Sequence, residues 1–388
     1  MATVLLPGCN HLSIPNLPRK SRHTLIRPKK FPSGRYPLNK IWPPFASLAA
    51  WQPVGQNYHL VHSFNCIPYT KKPWIVTFEQ HLSLYRISNN NLESFFREKL
   101  KDRLALDNCQ KIIAISDYAR MRFLRQLEGW PLLTKVINKL KVIHPNFPIR
   151  VEQYKKYTEG EYLKLIFVGN HFARKGGIVA LRLAKKAENK GLPIKIHLIS
   201  EMRYGSGVPT DFPDKTRYEK DLNLLKLPNV VAHQRIHNSE VIKLLMQSHF
   251  QIMATLHDTY GYSIIEGFSV ATPAITTNVC ALPEFVHHGE NGYVIPLEIN
   301  DSRHWNNWLD ASLRNSDEYW DILDSTYEAL ADQALQLLVE FFDRPDRREH
   351  YERLSAGAIA QAKNVHDSQK INDLLDNLYS KAAGEVIY

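Results

Sequence analysis

The sequence predicts an α/β protein of two doubly wound lobes, each with a parallel sheet wrapped by helices. Short apolar runs of strand length alternate with amphipathic runs of helical length along residues 111–277, and this alternation is typical of parallel sheets. A polar stretch, 152–161, separates two such series and indicates a linker. The chain has 388 residues, a length that accommodates two domains.

The first series follows a Pro-rich, loop-like stretch of about fifty residues. Within that stretch only 3–6, just before Pro7-Gly8, has the composition of a short strand. Later aromatic and β-branched runs predict strands, and apolar residues at helical spacing predict helices. The expected strands are 58–64, 74–78, 111–116 and 141–143, and the expected helices are 117–127 and one that Asn91 caps and that reaches Leu104.

The second series alternates more clearly. Its expected strands are 163–168, 194–199, 229–232, 250–255 and 274–277, with helices near 177–190, 239–248 and 263–270 and helical periodicity over most of 303–383. We therefore predict a first lobe at 1–150, a second at 151–365, and a helix at 366–388 that packs back toward the first lobe. A ligand is expected where the carboxyl ends of the parallel strands meet, in a crevice between the lobes.

Composition excludes several classes. With 44% hydrophobic residues the chain is neither disordered nor collagen-like, and no apolar run approaches the roughly 20 residues that span a bilayer. The N-terminus lacks a secretory pattern, so we expect a cytoplasmic protein. Cys9, Cys66, Cys109 and Cys280 form no C-x-x-C pair, which argues against a zinc site or a disulfide framework and predicts buried thiols.

The formal net charge of +10 is placed unevenly. No Asp or Glu precedes Glu79, whereas ten bases do: Arg19, Lys20, Arg22, Arg27, Lys29, Lys30, Arg35, Lys40, Lys71 and Lys72. Such a one-sided field attracts nucleic acid, an anionic membrane surface or a phosphorylated substrate. A solvated basic face and an acid-poor transit-type extension are the alternatives.

A glycine-containing loop follows the expected strand 163–168 and leads into a helix. The segment 169–177 reads GNHFARKGG; glycine lets backbone approach a ligand, and cations at a helix start attract phosphate. Gly169, Asn170, Arg174 and Lys175 are thus candidates for binding a pyrophosphate. The alternative is an ordinary turn with exposed bases.

Two carboxylates bracket the next candidate loop. Asp258 follows the expected strand 250–255, and Glu266 lies in the helix that begins after Gly261. Carboxylates that accept hydrogen bonds from vicinal hydroxyls hold a sugar or a ribose, so both residues are candidates for facing one crevice. They are equally consistent with a turn acid and with a helix acid near the favourable end of the dipole.

These segments resemble the C-terminal lobe of the retaining GT-B glycosyltransferases of family 4. The matching motifs are LIFVGNHFARKGG, DTYGYSIIEGFSVATPAITTN, ALPEFV and GENGYVIP, in the family's order. In the first half the weaker likenesses are VHSFNCIP, WIVTF, KIIAISDYARMRFL and KVIHPNFP. The family's acidic pair is usually Glu-x7-Glu, and here it reads Asp-x7-Glu. The resemblance implies a GT-B fold, with two Rossmann-like lobes facing a central cleft.

The resemblance also implies an activity. A sugar, expected to be a hexose, would pass from a UDP- or GDP-sugar with retention of configuration, and the family requires no metal or other cofactor. The chain contains no Asp-x-Asp, which agrees with that expectation. The acceptor would be a glycan or a lipid-linked glycan of cell-surface polysaccharide synthesis, at the inner face of the membrane.

By matching position, the resemblance implies roles for individual residues. Lys175 would neutralise the pyrophosphate, helped by the backbone at Gly261, Tyr262 and Ser263; Glu266 would hold the ribose, and Asp258 the transferred sugar. Asn170 stands where the family often has Arg, and Arg174 could supply that charge. Glu79 stands where many relatives have a catalytic His, and His81, two residues later, would lie on the acceptor side. His233 and Arg235, at the end of the strand that starts at Asn229, are candidates for contacting the base.

Other functions remain open from the sequence. Bases interleaved with Pro, Tyr and Trp suit single-stranded nucleic acid, although we consider a membrane the better partner. Asn170 and the single glycine of Pro7-Gly8-Cys9-Asn10 are consistent with a catalytically degenerate GT-B protein. Because a fold alone does not fix a reaction, epimerisation of a nucleotide sugar also remains an alternative.

Overall fold

The computed structural model describes residues 1–7, 14–27, 57–68, 70–80, 82, 101–205, 210–307 and 314–384. They form two compact units. The first unit combines Met1–Pro148 with His366–Tyr388, and the second is Ile149–Val365. Most of the helix expected after Asn91 lies outside the described residues.

The first unit is built on a parallel sheet of six strands in the order β2-β1-β3-β4-β5-β6. Of these, β4 (WIVTF) is buried at all five positions, as its aromatic and β-branched composition predicts. The strands are β1 (Thr3–Leu5), β2 (Thr24–Ile26), β3 (Leu60–Phe64), β4 (Trp74–Phe78), β5 (Cys109–Ala114) and β6 (Leu140–Val142).

Helices cover this sheet and supply much of its core. Helix α1 (Asp117–Gln126) begins after Ser116, whose side chain accepts a hydrogen bond from the Ala119 N–H at 3.0 Å. A short helix, α2 (Leu133–Ile137), precedes β6. The C-terminal helix, Ser368–Ala382, belongs to this unit: its Leu375, Tyr379 and Ala382 share a buried cluster with Val4 and Leu60.

The basic N-terminal segment is part of this unit. Strand β1 lies at the short strand expected at 3–6, and β2 lies in the stretch expected to be loop-like; β1 is hydrogen-bonded between β2 and β3. Arg19 and Arg22 bond the C-terminal helix, the first through its N–H to Asn372 Oδ1 at 2.9 Å and the second through Nη2 to Asn377 Oδ1 at 2.8 Å. The extension alternative is therefore wrong for residues 1–7 and 14–27, whereas Lys29, Lys30, Arg35 and Lys40 lie outside the described residues.

The second unit contains another six-stranded parallel sheet, in the order β12-β11-β10-β7-β8-β9. The strands are β7 (Leu163–Val168), β8 (Ile194–Ile199), β9 (Val230–His233), β10 (Phe250–Met253), β11 (Ala274–Thr277) and β12 (Gly292–Ile295). The sequence analysis missed β12, a short strand that lies within the motif GENGYVIP. The helices are α3 (Gly177–Asn189), α4 (Glu219–Leu222), α5 (Asn238–Gln247), α6 (Tyr262–Phe268), α7 (Asp317–Asp343) and α8 (Arg347–Gln361).

The strand order of the second unit marks where a ligand should bind. From β7 the chain builds β8 and β9 on one side and then returns to add β10, β11 and β12 on the other. The loops after β7 and β10 therefore diverge at the point where the order reverses. In doubly wound sheets this switch point, at the carboxyl ends of the strands, is the usual ligand site. No helix within the described ranges is long and apolar enough to cross a membrane.

Candidate functional site

The loop after β7, residues 169–176, packs closely against the loop after β10. Gly176 has a φ of +89°, and a Cβ at this position would lie 2.4 Å from the backbone oxygen of Ala254. Only glycine meets both demands, the left-handed conformation and the close approach. The sequence thus supplies glycine where two site loops must touch.

Asp258 organises the loop after β10. Its side chain is buried, and its Oδ1 accepts hydrogen bonds from the N–H of Gly261 at 2.7 Å and of Tyr260 at 3.3 Å. Gly261 has a φ of +84° and immediately precedes α6. Asp258 therefore fixes the turn that leads into this helix.

The other oxygen of Asp258 faces two cations of the loop after β7. Its Oδ2 lies 2.8 Å from Lys175 Nζ and 3.9 Å from Arg174 Nη1. Burial alone would raise the pKa of Asp258, but the charges of Lys175 and Arg174 and the Gly261 N–H outweigh it and hold the pKa well below its ordinary value. The group is thus ionised at neutral pH, and two cations share one anion.

Hydroxyl groups fix the backbone around this cluster. Thr255 Oγ1 donates to the Arg174 carbonyl at 2.7 Å, and Thr277 Oγ1 donates to the Thr255 carbonyl at 2.5 Å. Arg174 Nη1 in turn donates to the carbonyl of His257 at 2.8 Å. The loops after β7 and β10 and the last residue of β11 are therefore tied together around Lys175 and Asp258, so the charges sit on a preorganised frame.

The remaining predicted residues of the loop after β7 lie around this cluster. Gly169 is buried beneath Lys175, and a Cβ there would lie 2.8 Å from Lys175 Cδ. Asn170 is exposed, and its carbonyl accepts a hydrogen bond from the Arg203 N–H at 3.0 Å. The structure therefore brings Gly169, Arg174 and Lys175 together and turns the Asn170 side chain toward solvent.

The predicted residues farther along the chain occupy other surroundings. Glu266 is half-buried on α6, where its Oε1 accepts a hydrogen bond from Asn238 Nδ2 at 3.2 Å. Tyr262 and Ser263 are half-buried in the first turn of α6, and Ser263 Oγ lies 3.6 Å from Met253 Sδ. Arg235 is 86% exposed, with Nε 3.7 Å from Glu201 Oε1. Glu266 thus lies beside the start of α5, whereas Asp258 contacts the loop after β7.

The predicted acceptor-side residues belong to the first unit. Glu79 is half-buried directly after β4, and its N–H donates to Asn65 Oδ1 at 2.8 Å. Asn65 itself has a φ of +55° at the end of β3. His81, like Gly8, Cys9 and Asn10 of the expected first loop, lies outside the described residues.

Sequence reasoning missed His171, which lies between Asn170 and Arg174. Its Nδ1 is buried and has no hydrogen-bond partner among the residues that the structure describes. Burial and the nearby charges of Arg174, Lys175 and Arg203 lower its pKa, so its imidazole is neutral at pH 7. The sequence pattern that could have indicated this residue is a histidine two positions after Gly169, the first glycine of the loop.

One family model matches part of the chain. Residues 150–322, which lie in the second unit, match the family model of glycosyl transferases group 1. No curated protein sequence matches the chain.

Several solved structures cover nearly the whole chain. A glycosyltransferase from Rickettsia africae ESF-5 has a TM-score of 0.60 at 13% identity, covering 98% of each chain. Anabaena HepE in complex with UDP has a TM-score of 0.59 at 15% identity, covering 98% of this chain and 100% of HepE. Sucrose-phosphate synthase from Thermosynechococcus elongatus has a TM-score of 0.56 at 16% identity, covering 95% and 85%. The chain therefore has the GT-B fold, and its second unit carries a glycosyl transferases group 1 segment.

Proposed function

We propose that the protein is a retaining glycosyltransferase of family 4 that transfers a hexose from a nucleotide-diphosphate sugar. The observation that carries the proposal is the cluster of the half-buried Lys175 and Arg174 with the buried Asp258 at the switch point of the second unit. This cluster lies within the segment that matches glycosyl transferases group 1. A surplus of one positive charge beside two preorganised loops suits a diphosphate.

In this proposal the donor's pyrophosphate binds at Lys175 and Arg174. Lys175 Nζ carries three donors, so it can pair with Asp258 and still reach a phosphate oxygen. The side chains of Lys175 and Arg174 are 18% and 17% exposed, so their charges are little screened by water. Charge that develops on the leaving diphosphate would be stabilised by groups already in position.

The two carboxylates take separate roles. Asp258 Oδ1 already accepts two N–H groups, and a carboxylate offers about four lone-pair positions, so Asp258 can still accept a hydroxyl of the transferred sugar. Glu266, beside Asn238, would hold the ribose hydroxyls, and exposed Arg235 would contact the base. Because the Gly261 N–H is directed at Asp258, we assign Gly261 the role of shaping the turn before Tyr262 and Ser263.

The proposed mechanism is a front-face displacement without a metal ion. The bond between the anomeric carbon and the leaving phosphate oxygen breaks while the acceptor oxygen bonds the same carbon. The acceptor's proton passes to that leaving phosphate oxygen. No paired acid and base of the glycosidase type is then required. His171 would be a further neutral donor or acceptor beside the phosphates.

The structural neighbours suggest which donor to test first. HepE has been solved with UDP and with UDP and glucose, so UDP-glucose is our first choice, with GDP-sugars second. We expect a glycan or lipid-linked acceptor in cell-surface polysaccharide synthesis, bound on the side of Glu79 and His81.

The exposed bases of the first unit favour docking on the inner face of the membrane. Lys20, Arg27, Lys71 and Lys72 are exposed, and basic residues near an anionic bilayer each contribute about 1 kcal/mol. Flotation with anionic but not neutral liposomes, reduced by Lys20→Glu with Lys72→Glu, is the expected result. Equal flotation with both liposomes would contradict it, and salt-dependent binding of random oligonucleotides instead would favour the nucleic-acid alternative.

Nucleotide release from labelled UDP- and GDP-sugars tests the activity. We expect release with at least one donor, and a fall of roughly 100-fold or more in kcat for Lys175→Met, since single preorganised charge-stabilising groups contribute about that much. Lys185→Met is the matched control, because Lys185 lies on the exposed face of α3 with its side chain 45% exposed.

Folding is checked with a second variant. Lys175→Met leaves the negative charge of Asp258 with fewer neighbouring positive charges, which could destabilise the fold. The double variant Lys175→Met with Asp258→Asn removes both charges. We expect it to fold and to be as inactive as Lys175→Met. Unchanged release in both variants would contradict the site. Binding of UDP without release from any donor would favour a degenerate GT-B protein.

A further inference from the structure

A buried group of two histidines and one cysteine lies beside the candidate donor site. His257, Cys280 and His304 are 9%, 0% and 7% exposed, and one ligand atom from each lies within 4.8 Å of the others. His257 directly precedes Asp258, Cys280 follows β11, and His304 lies in the segment after β12. Three separate segments of the second unit therefore bring side chains that can bind a metal ion close together.

We propose that these three side chains form a zinc site that fixes the loop carrying Asp258. Two imidazoles and one thiolate are a borderline-soft donor set that suits Zn²⁺. Ligands of one tetrahedral zinc ion lie roughly 3.3 to 3.6 Å apart, so from separations within 4.8 Å a contraction of at most about 1.5 Å completes three positions. This proposal does not depend on the proposed transferase reaction, in which the ion takes no part.

The backbone of each ligand is held by bonds that do not involve a metal. The His257 N–H donates to Thr255 Oγ1 at 3.2 Å, and the His257 carbonyl accepts from Arg174 at 2.8 Å. The Cys280 N–H donates to the Arg303 carbonyl at 2.7 Å, which ties Cys280 to the residue before His304. The His304 N–H donates to Asn300 Oδ1 at 3.1 Å. The donor set is thus preorganised, which lowers the ordering cost of metal binding.

The backbone at Cys280 is a second sign that this position is constrained. Cys280 has a φ of +54°, a conformation that costs a non-glycine residue of order 1–3 kcal/mol. Glycine would relieve that strain, yet the chain has a thiol there. A ligand role gives the thiol a reason to occupy the position.

Zinc binding would deprotonate Cys280 and cross-link three segments of the second unit. The Cys280 thiol gives up its proton to solvent when it binds Zn²⁺, so affinity falls at low pH. The ion would join the loop after β10 to the loop after β11 and to the segment at His304. Since His257 adjoins Asp258 and accepts from Arg174, the same ion would stiffen the frame of the donor cluster.

Cobalt substitution tests the site directly in the full chain without a polyhistidine tag. After treatment with EDTA and dialysis, we expect Co²⁺ to bind in one equivalent with a sulfur-to-cobalt charge-transfer band, and one equivalent of Zn²⁺ to abolish that band. Zn²⁺ should also raise the unfolding temperature, since it binds the folded state. The absence of a sulfur-dependent band at one equivalent of Co²⁺ would overturn the proposal and leave a packed side-chain cluster only.

Variants assign the ligands. Cys280→Gly should fold, because glycine suits the observed φ, and should lose the band and the Zn²⁺-dependent rise in unfolding temperature. His304→Gln should keep sulfur coordination but lose more than the roughly 10- to 100-fold in affinity that an outer-shell change costs. Cys66→Ser, which changes a half-buried thiol in the first unit, is the matched control and should bind as the parent does. A band that persists in Cys280→Gly would contradict the assignment.

Discussion

Two sites of the second unit and one of the first unit bury polar groups in different ways. At the two sites of the second unit charges meet opposite charges: Lys175 Nζ lies 2.8 Å from Asp258, and Arg182 Nε lies 2.7 Å from Asp221. In the first unit the buried His62 bonds two neutral hydroxyls, with Nδ1 2.6 Å from Tyr379 Oη and Nε2 2.7 Å from Thr77 Oγ1.

The same difference appears in the titration of His62 and Arg182. Burial lowers the pKa of His62 to about 3, so the first unit keeps this group neutral. Burial works against the charge of Arg182 as well, but Asp221 and Asp324 raise its pKa above the ordinary value. The second unit thus holds fixed charge in a poorly hydrated place, which is what recognition of an anionic ligand needs.

The largest expected effect is on the buried ion network of the second unit. Arg182→Met removes the partner of Asp221, which is 2% exposed, and should lower the free energy of unfolding by about 3–5 kcal/mol. Urea unfolding of the full chain measures it. Lys185→Met, on the exposed face of the same helix, should change it by less than about 0.5 kcal/mol. Similar losses of unfolding free energy in Arg182→Met and Lys185→Met would contradict the stabilising role of the buried ion network.

Gly176→Ala tests the contact between the two site loops. A methyl group would lie 2.4 Å from the Ala254 oxygen in a left-handed backbone, so we expect a loss of about 2–4 kcal/mol from strain and overpacking together. Gly191→Ala is the control, since Gly191 has a φ of +65° but nothing within 4 Å. Gly191→Ala should therefore show the backbone strain without the steric clash. Equal losses of stability in Gly176→Ala and Gly191→Ala would contradict the close contact with Ala254.

In the first unit His62 should make stability depend on pH. The folded pKa lies near 3 and the ordinary value is 6.5, so the unfolded chain binds the extra proton between those values, and stability falls as the pH drops below 6.5. From pH 6.5 to 4.5 the cost is about 2–3 kcal/mol. Hydrogen exchange of β3 amides should show this slope in the parent and a shallower one in His62→Gln. Equal slopes would contradict the neutral burial of His62.

The smallest expected effect is at Thr255. Thr255→Val removes the hydroxyl that bonds Arg174 and His257 and should cost about 1–2 kcal/mol. Since the hydroxyl positions the loops without touching the ligand, KM for the donor should rise while unfolding remains cooperative. An unchanged KM would show that the loops keep their positions without it.

The sequence predicted strands well where four to six residues are mainly apolar, aromatic or β-branched. The structure confirms β4, β7, β8 and β11 with the expected bounds. By contrast β2 has three residues, none of them buried, and only its pairing with β1 makes it a strand. Short strands of this kind depend on tertiary pairing, which local pattern cannot reveal.

Some residues of the site could likewise be predicted from local sequence, whereas others depend on tertiary structure. Lys175 and Asp258 were identified from loops that follow strands, and topology brings such loops together. The approach of Cys280 to His257 and His304 could not be predicted, because spacing rules for metal sites consider residues close in sequence. It arises only when the loops after β10 and β11 fold beside the segment after β12.

Calorimetric titration of UDP and GDP into the full chain and into Lys175→Met tests the central claim most directly. The account predicts saturable binding of at least one nucleotide diphosphate, weakened roughly tenfold or more in Lys175→Met, which corresponds to about 1.4 kcal/mol or more. Lys185→Met should bind as the parent does. Equal affinity in the parent and in Lys175→Met would contradict the assignment of the cluster of Lys175, Arg174 and Asp258 as the diphosphate site.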